Sequence, residues 1–306
     1  MADLGLAREF MNSHARLLDR HRLELLFDEG KPEAVLTALA AYANDDGGFG
    51  WALHPDLRST TSQPVAAMHA FEILEEVSAV TSPMAAQLCD WLDHVSLSDG
   101  GLAFALPHSD VAGSTPMWGE ADSARSSLLI TCAVCAIAHR ITDRYSAVAE
   151  HRWLSRATDY CLTQIAAMEQ PSMAIELRFA LHLLDALHDK DAAAEGELRR
   201  LAGFLPATGA MPVRGGADGE AMRPLDFSPE PGRPLRALLA EEVIADALDV
   251  LAAEQDRDGG WDVDFTVYSP TAALEWRGDA TVRALRTLLV NGRLGAHTRT
   301  HPGRIR

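Results

Sequence analysis

The strongest constraint on this chain is a recurring turn. Asp46-Gly47-Gly48-Phe49 returns as Asp99-Gly100-Gly101-Leu102 and again as Asp258-Gly259-Gly260-Trp261. The first two aspartates stand 53 residues apart and the next pair 159 apart, three times that interval, so two further units lie between without the full motif. Thr208-Gly209-Ala210-Met211 keeps a small-residue turn near the fourth position, while the third connection, around Glu169-Gln170-Pro171, is short. A fixed period of this kind marks units that each bury a face against their neighbours. Two glycines let the backbone enter the left-handed region and close the last carbonyls of a helix, and the bulky residue that follows folds back as a clip.

Between the turns, apolar residues recur with helical period and no stretch alternates as a strand does. The spacing predicts helices over 4–27, 32–43, 62–77, 82–95, 122–140, 146–168, 171–188, 192–204, 235–254 and 269–290. Pro32 and Pro171 suit a first helical turn, and Ser62, Ser82, Asp122 and Ser269 suit caps. The expected fold is all-α: one α/α toroid of about five to six helical hairpins over residues 1–292. A basic tail follows at 293–306, with Arg293, Arg299, Arg304 and Arg306, expected to be flexible.

Charge narrows the partners. With 27 Lys and Arg against 44 Asp and Glu, the net charge is -17, which repels nucleic acid and anionic lipid headgroups. The longest apolar run, 128–138, falls short of the roughly 20 residues that span a bilayer. The charged N-terminal stretch lacks the apolar core of a secretory leader, so a cytoplasmic location is expected. Cys132 and Cys135 form a C-x-x-C inside an apolar helical stretch, with no second ligand pair at zinc spacing. They read, with Cys89 and Cys161, as buried thiols, and no metal site is expected.

At its turns the chain resembles the terpenoid cyclase and protein prenyltransferase superfamily, whose toroids carry Gln-x-x-Asp-Gly-Gly-Trp at the helix-to-loop junction. Gln255-Asp256-Arg257-Asp258-Gly259-Gly260-Trp261 fits that pattern, and Asn44-Asp45-Asp46-Gly47-Gly48-Phe49 is similar. The resemblance implies the toroid fold and an isoprenoid or isoprenoid diphosphate as the small-molecule ligand, cyclised or isomerised by acid initiation. It implies no cofactor beyond Mg²⁺ accompanying a diphosphate. The family's Asp-x-Asp-Asp acid motif is absent, its nearest match being Asp262-Val263-Asp264-Phe265, and no Cys follows Cys161 to serve zinc-dependent prenyl transfer. The cyclases that protonate alkenes use two helical domains, so a single toroid would act alone, as a homo-oligomer or with a partner chain.

Two loops, each following an Asp-Gly-Gly turn, concentrate polar and aromatic side chains, and the repeat geometry puts both at one end of the toroid. The first holds Trp51, His54, Asp56 and Arg58; the second holds Trp261, Asp262, Asp264, Phe265, Tyr268, Glu275, Trp276 and Arg277. Asp262, Asp264, Asp56 and Glu275 are the candidate acids or bases, and one of Asp262 and Asp264 would raise the pKa of the other if both lay in an apolar cavity. Arg58 and Arg277 suit fork-like contacts to a diphosphate or carboxylate. His54, Trp51, Trp118, Trp261, Phe265, Tyr268 and Trp276 are the candidate ligand-lining residues. The other reading pairs Asp56 with Arg58 and Glu275 with Arg277 as local ties and takes the aromatics as clips. His69, His182 and His188 fall on predicted helices and read as packing or surface residues, and 229–234 as a lid. A noncatalytic isoprenoid-binding or protein-interaction toroid, and a carbohydrate-active α/α barrel, remain as alternative functions.

Overall fold

The computed structural model describes residues 2–27, 29–108 and 112–294. Most of the tail expected to be flexible, 295–306, lies outside the described residues. The chain is mainly helical. Its helices are α1 Leu4–His14, α2 Leu17–Leu26, α3 Pro32–Ala40, α4 Pro64–Glu76, α5 Met84–Val95, α6 Pro116–Gly119, α7 Leu128–Ile141, α8 Ser146–Ala149, α9 Arg152–Ala166, α10 Ala174–Leu187, α11 Ala192–Ala202, α12 Pro224–Phe227, α13 Glu241–Ala253 and α14 Pro270–Val290. Two short strands, β1 Met211–Pro212 and β2 Ala221–Met222, pair antiparallel in the fourth unit, between two expected helices in a stretch where no strand was expected.

The boundaries show which local signals decide. Ser269 caps α14 through a bond from the Ala272 amide, and Pro32 opens α3 as its first residue. Ser62 does not cap α4; its hydroxyl donates to Asp46 at 2.7 Å, and Gln63 takes the cap position. Asp122 makes a turn with the Ala124 amide, and Ser127 caps α7 instead. Pro171 precedes the first turn of α10 rather than lying in it. The helix expected over 4–27 breaks at extended Ala15, whose Cβ packs where Gly278 of α14 leaves room. That break lets α1 pack outside and α2 inside.

The three Asp-Gly-Gly turns are one device built three times. In each, the residue two before the Asp bonds both ways across the turn, as in Asn44 N to Gly48 O (2.9 Å) and Gly47 N to Asn44 O (3.1 Å). The Asp carboxylate accepts from the second glycine's amide, at 2.9 Å for Gly48 and 3.1 Å for Gly101 and Gly260. The first glycine lies at φ +87° for Gly47, +90° for Gly100 and +95° for Gly259. It therefore turns a small clasp after the helix rather than capping the helix itself. At this position a Cβ would meet the carbonyl of Gln87 in α5, Arg156 in α9 and, at the last turn, Leu6 in α1. Only glycine permits such approach. The clip residues Phe49, Leu102 and Trp261 are all buried.

Each turn thus grips the outer helix of the next unit, and the last turn grips the first helix. Packing follows the same order. Helices α4, α7 and α10 pack in succession, with α3 against α2 and α4, α5 against α9, and α11 against α10. The final helix α14 packs on α1, α2 and α13. A separate apolar cluster joins Leu4, Phe10 and Met11 to Trp261, Leu285 and Leu288, so both described ends share one core. All four cysteines are buried, and burial pushes the Cys89 thiol up to about 12. No described helix is long and apolar enough to cross a membrane.

Candidate functional site

The two loops meet. Arg58 donates to Glu275 across 217 residues of sequence, and the Arg58 amide donates to Ser114 Oγ at 2.8 Å. The His54 ring stands edge-on to Trp276 and Trp118, with centroids 5.1 and 5.2 Å away, and Trp118 stacks on Phe104 at 4.6 Å. Phe265 meets the other side of Trp276 at 5.2 Å. Arg58 therefore pairs between repeats with Glu275, and neither Asp56 with Arg58 nor Glu275 with Arg277 forms the local tie. This floor is undersatisfied. Among the described residues, Thr115 Oγ1 and Trp118 Nε1 are buried without a hydrogen-bond partner, and buried Asp56 Oδ1 and Trp276 Nε1 have no other partner than each other. Burial pushes the Asp56 carboxyl above its usual value, with the neighbouring Trp276 indole pulling it the other way.

Above Trp276 opens a cavity of about 1060 Å³, at the upper end of the roughly 300–1,000 Å³ typical of small-molecule sites. Its walls differ in kind. One is mostly apolar, with Met222, Leu225, Val250, Trp261, Phe265 and Trp276; the other is a charged belt from the helices that face inward. Arg22 comes from α2, Glu72, Glu75 and Glu76 from α4, Arg140 from α7, Arg178, His182 and Asp185 from α10, and Asp279, Arg283 and Arg286 from α14. Arg22 is the hub: it donates to Asp19 at 2.8 Å, Asp279 at 2.7 Å and Glu76 at 2.7 and 2.8 Å. Burial alone would raise the Asp279 carboxyl, but Arg22 and Arg283 override it and hold it well below the usual range.

A hydrogen-bonded chain links belt to floor. His69 Nδ1 lies 2.7 Å from Glu72 Oε2, and His69 Nε2 lies 2.8 Å from His54 Nδ1. Burial would raise the Glu72 carboxyl, yet His69 brings it to about 2, so Glu72 is ionised and accepts from His69 Nδ1–H. Burial, then His69, pushes the His54 ring well below its ordinary value. The chain runs carboxylate, imidazole, imidazole from Glu72 through His69 to His54. At the other side of the belt, His182 Nε2–H donates to the carbonyls of Asp226 (3.0 Å) and Phe227 (2.9 Å). Burial, with Arg178 and Arg140 nearby, lowers this ring to about 3.

Several expected site residues lie elsewhere. Arg277 is held by Asp256, Asp258 and Asp262 and covers the Phe10 ring at 4.5 Å, so it belongs to the last clasp and is no free anion ligand. Asp262 is largely exposed and paired with that arginine, but it does line the rim of the cavity. Trp51 is half exposed at positive φ, donating to Asn44 Oδ1 at 2.7 Å, and Tyr268 is half exposed; neither lines the cavity. Trp118 is buried behind the floor. Trp261 lines the cavity while its indole donates to the Leu251 carbonyl at 2.8 Å. Asp264 does lie on the wall, 3.7 Å from Arg223, and burial raises its carboxyl against that arginine. Asp226 and Glu220 add to the rise, in place of the Asp262 effect expected from spacing. Segment 229–234 is pinned over the cavity by Glu230 to Arg286 (2.9 Å) and Arg233 to Asp185 (2.7 Å).

Sequence reasoning missed the belt. Its signal was present as charges at helical spacing, His69-Glu72-Glu76 and Arg178-His182-Asp185, on helices with otherwise apolar faces. No family model matches the chain, and no curated protein matches it.

Proposed function

We propose that the chain closes into one α/α toroid of the terpenoid cyclase and prenyltransferase kind, and that its central cavity receives an isoprenoid or isoprenoid diphosphate. The grip of the last clasp on α1 supports the closure. The observation that carries the ligand reading is the apolar wall of Trp261, Phe265 and Trp276 with Asp264 beside it, a carboxyl that burial moves upward as acid-initiated chemistry requires. In this reading the hydrocarbon lies along the aromatic wall, where a developing cation would gain about 0.5–2 kcal/mol per well-placed ring, and Asp264 delivers the proton. Mg²⁺ would enter only with a diphosphate. No group of three acidic, His or Cys side chains suited to an ion occurs among the described residues, and no step is routed through one.

Arg223, 3.7 Å from Asp264, favours the ionised carboxylate and so supports the second reading, a toroid that binds an isoprenoid without turning it over. Incubation with farnesyl diphosphate, geranylgeranyl diphosphate and squalene, followed by product analysis, separates the two. Turnover lost in Asp264→Asn supports the enzyme, and binding without product supports the carrier. Neither turnover nor a thermal shift with any of the three would remove the isoprenoid reading.

A further inference from the structure

The arginines on the cavity wall divide sharply. Arg22, Arg140, Arg223, Arg233, Arg283 and Arg286 each lie within ion-pair distance of a carboxylate. Arg178 has no such partner among the described residues, although it lines the same cavity. Its Nε is buried without a hydrogen-bond partner, and its guanidinium carbon lies 4.9 Å from the ring of the adjacent Phe179. The acids closest to it in electrostatic effect are committed elsewhere: Asp226 accepts from the Arg223 amide at 2.7 Å, and Glu72 is held by His69. Arg283 and Arg140 act on Arg178 as like charges, and with burial they push its pKa down. Arg283 itself has only a loose pair, 3.6 Å from Asp279.

A guanidinium Nε buried without an acceptor is costly, and the planar fork that Arg178 presents to the cavity is matched by an oxyanion with two acceptors. We propose that Arg178, with Arg283 beside it, binds the carboxylate or phosphate group of the molecule that occupies the cavity. The anion completes the one unpaired cation of the belt and lies between two arginines that otherwise repel. The apolar wall beyond takes the body of the molecule, which is therefore an anionic amphiphile. This assignment rests on the reading of the cavity as a ligand site and adds which end of the ligand is recognised and by what.

Isothermal titration calorimetry on the full chain, at constant ionic strength and pH 7, tests it. Inorganic phosphate, pyrophosphate and acetate probe the anion, and farnesol probes the neutral body. Wild type is expected to bind pyrophosphate or phosphate, or acetate if the natural group is a carboxylate, and Arg178→Gln to weaken that binding by about tenfold or more. Arg178→Gln removes an unpaired charge and is expected to fold; should its circular dichroism differ from wild type, Arg178→Lys takes its place, keeping the charge without the fork and losing affinity more modestly. Anion binding that is equal in wild type and variant overturns the assignment, as does no anion binding to wild type. Farnesol binding unchanged by the variant, with no anion binding, overturns the assignment and leaves the cavity reading intact. Anion binding that depends on Arg178, with no isoprenoid binding, upholds the assignment and removes the isoprenoid reading.

Discussion

Replacing Arg22 with Met is expected to loosen the seam between the ends of the chain. The side chain is 4% exposed and joins α2 to α4 through Glu76 and to α14 through Asp279, with Asp19 of its own helix as third partner. Methionine keeps much of the stem's packing but leaves three carboxylates facing a volume with no cation at its centre. Removing one partner of a buried pair costs about 3–5 kcal/mol. Each carboxylate retains a second arginine, Asp19 with Arg16 at 2.7 Å, Asp279 with Arg283 at 3.6 Å and Glu76 with Arg286 at 3.7 Å, which argues for the lower end, about 3 kcal/mol. For a chain of this size that is a fall in the unfolding midpoint of about 6 °C. Urea unfolding at pH 7 measures it. A loss under about 1 kcal/mol, the range of exposed pairs, would refute the reasoning, because it would mean that water already reaches the network. The pH dependence supplies a second check. Asp279 is held below its ordinary pKa in the fold, so its pairing stabilises above the unfolded value near 3.9 and is lost as pH falls toward the folded one. The gap between wild type and variant should therefore narrow on acidification below about pH 4, and a widening gap would contradict the account.

Two further outcomes follow from the turns and from the belt. Gly259→Ala puts a Cβ 2.1 Å from the Leu6 carbonyl at φ +95°, so it should cost about 2 kcal/mol or more, against about 1 kcal/mol for Gly292→Ala, where φ is +68° and nothing lies within 4 Å; equal losses in urea unfolding would show that the last clasp does not grip α1. His182 is neutral in the fold, its pKa lowered to about 3, while the unfolded ring titrates near 6.5. The unfolded state therefore binds more protons between these values, and stability should fall as pH drops through that window by up to about 1.4 kcal/mol per unit. His182→Asn should flatten this part of the profile, and a slope unchanged by the substitution would remove His182 as its source.

The repeat was legible because it is written in residue types that have few other uses. An Asp that accepts from an amide two residues on, a glycine at positive φ and a buried clip leave the same signature at 46, 99 and 258, so the 53-residue rhythm locates all three clasps. The meeting of the two loops follows from that rhythm as well. What the sequence hides is which water a polar face sees. In α4, ten residues are buried, His69 among them, and His69, Glu72 and Glu76 share one helical spacing. Such a stripe is the same whether it faces bulk solvent or an interior cavity, and α4, α10 and α14 face the cavity. Partner choice is hidden for a related reason. Arg58 has Asp56 two residues away in its loop, and Arg277 has Glu275 two residues away in α14, where side chains two apart do not face each other. The chain instead brings Arg58 to Glu275 and Arg277 to the aspartates of its own clasp.

Separation of the two sets of contacts has a functional consequence. The clasps fix each unit to the next through backbone approach, buried Phe49, Leu102 and Trp261, and an Asp that bonds locally, and none of this requires the inward-facing side chains. The belt can therefore vary in composition without undoing the contacts between units, except where it also spans elements, as Arg22 does between α2, α4 and α14. Arg178 and the chain from Glu72 through His69 to His54 are not needed in that way: Glu72 and His69 lie on one helix, and Arg178 has no partner to hold. The Arg178 Nε, buried on the cavity wall without an acceptor among the described residues, and the Trp118 and Thr115 atoms without partners behind the floor carry a cost that packing alone would have removed by substitution with apolar residues. Arg178 and Trp276 line one cavity, which is the physical reason to place ligand recognition there and not at the clasps.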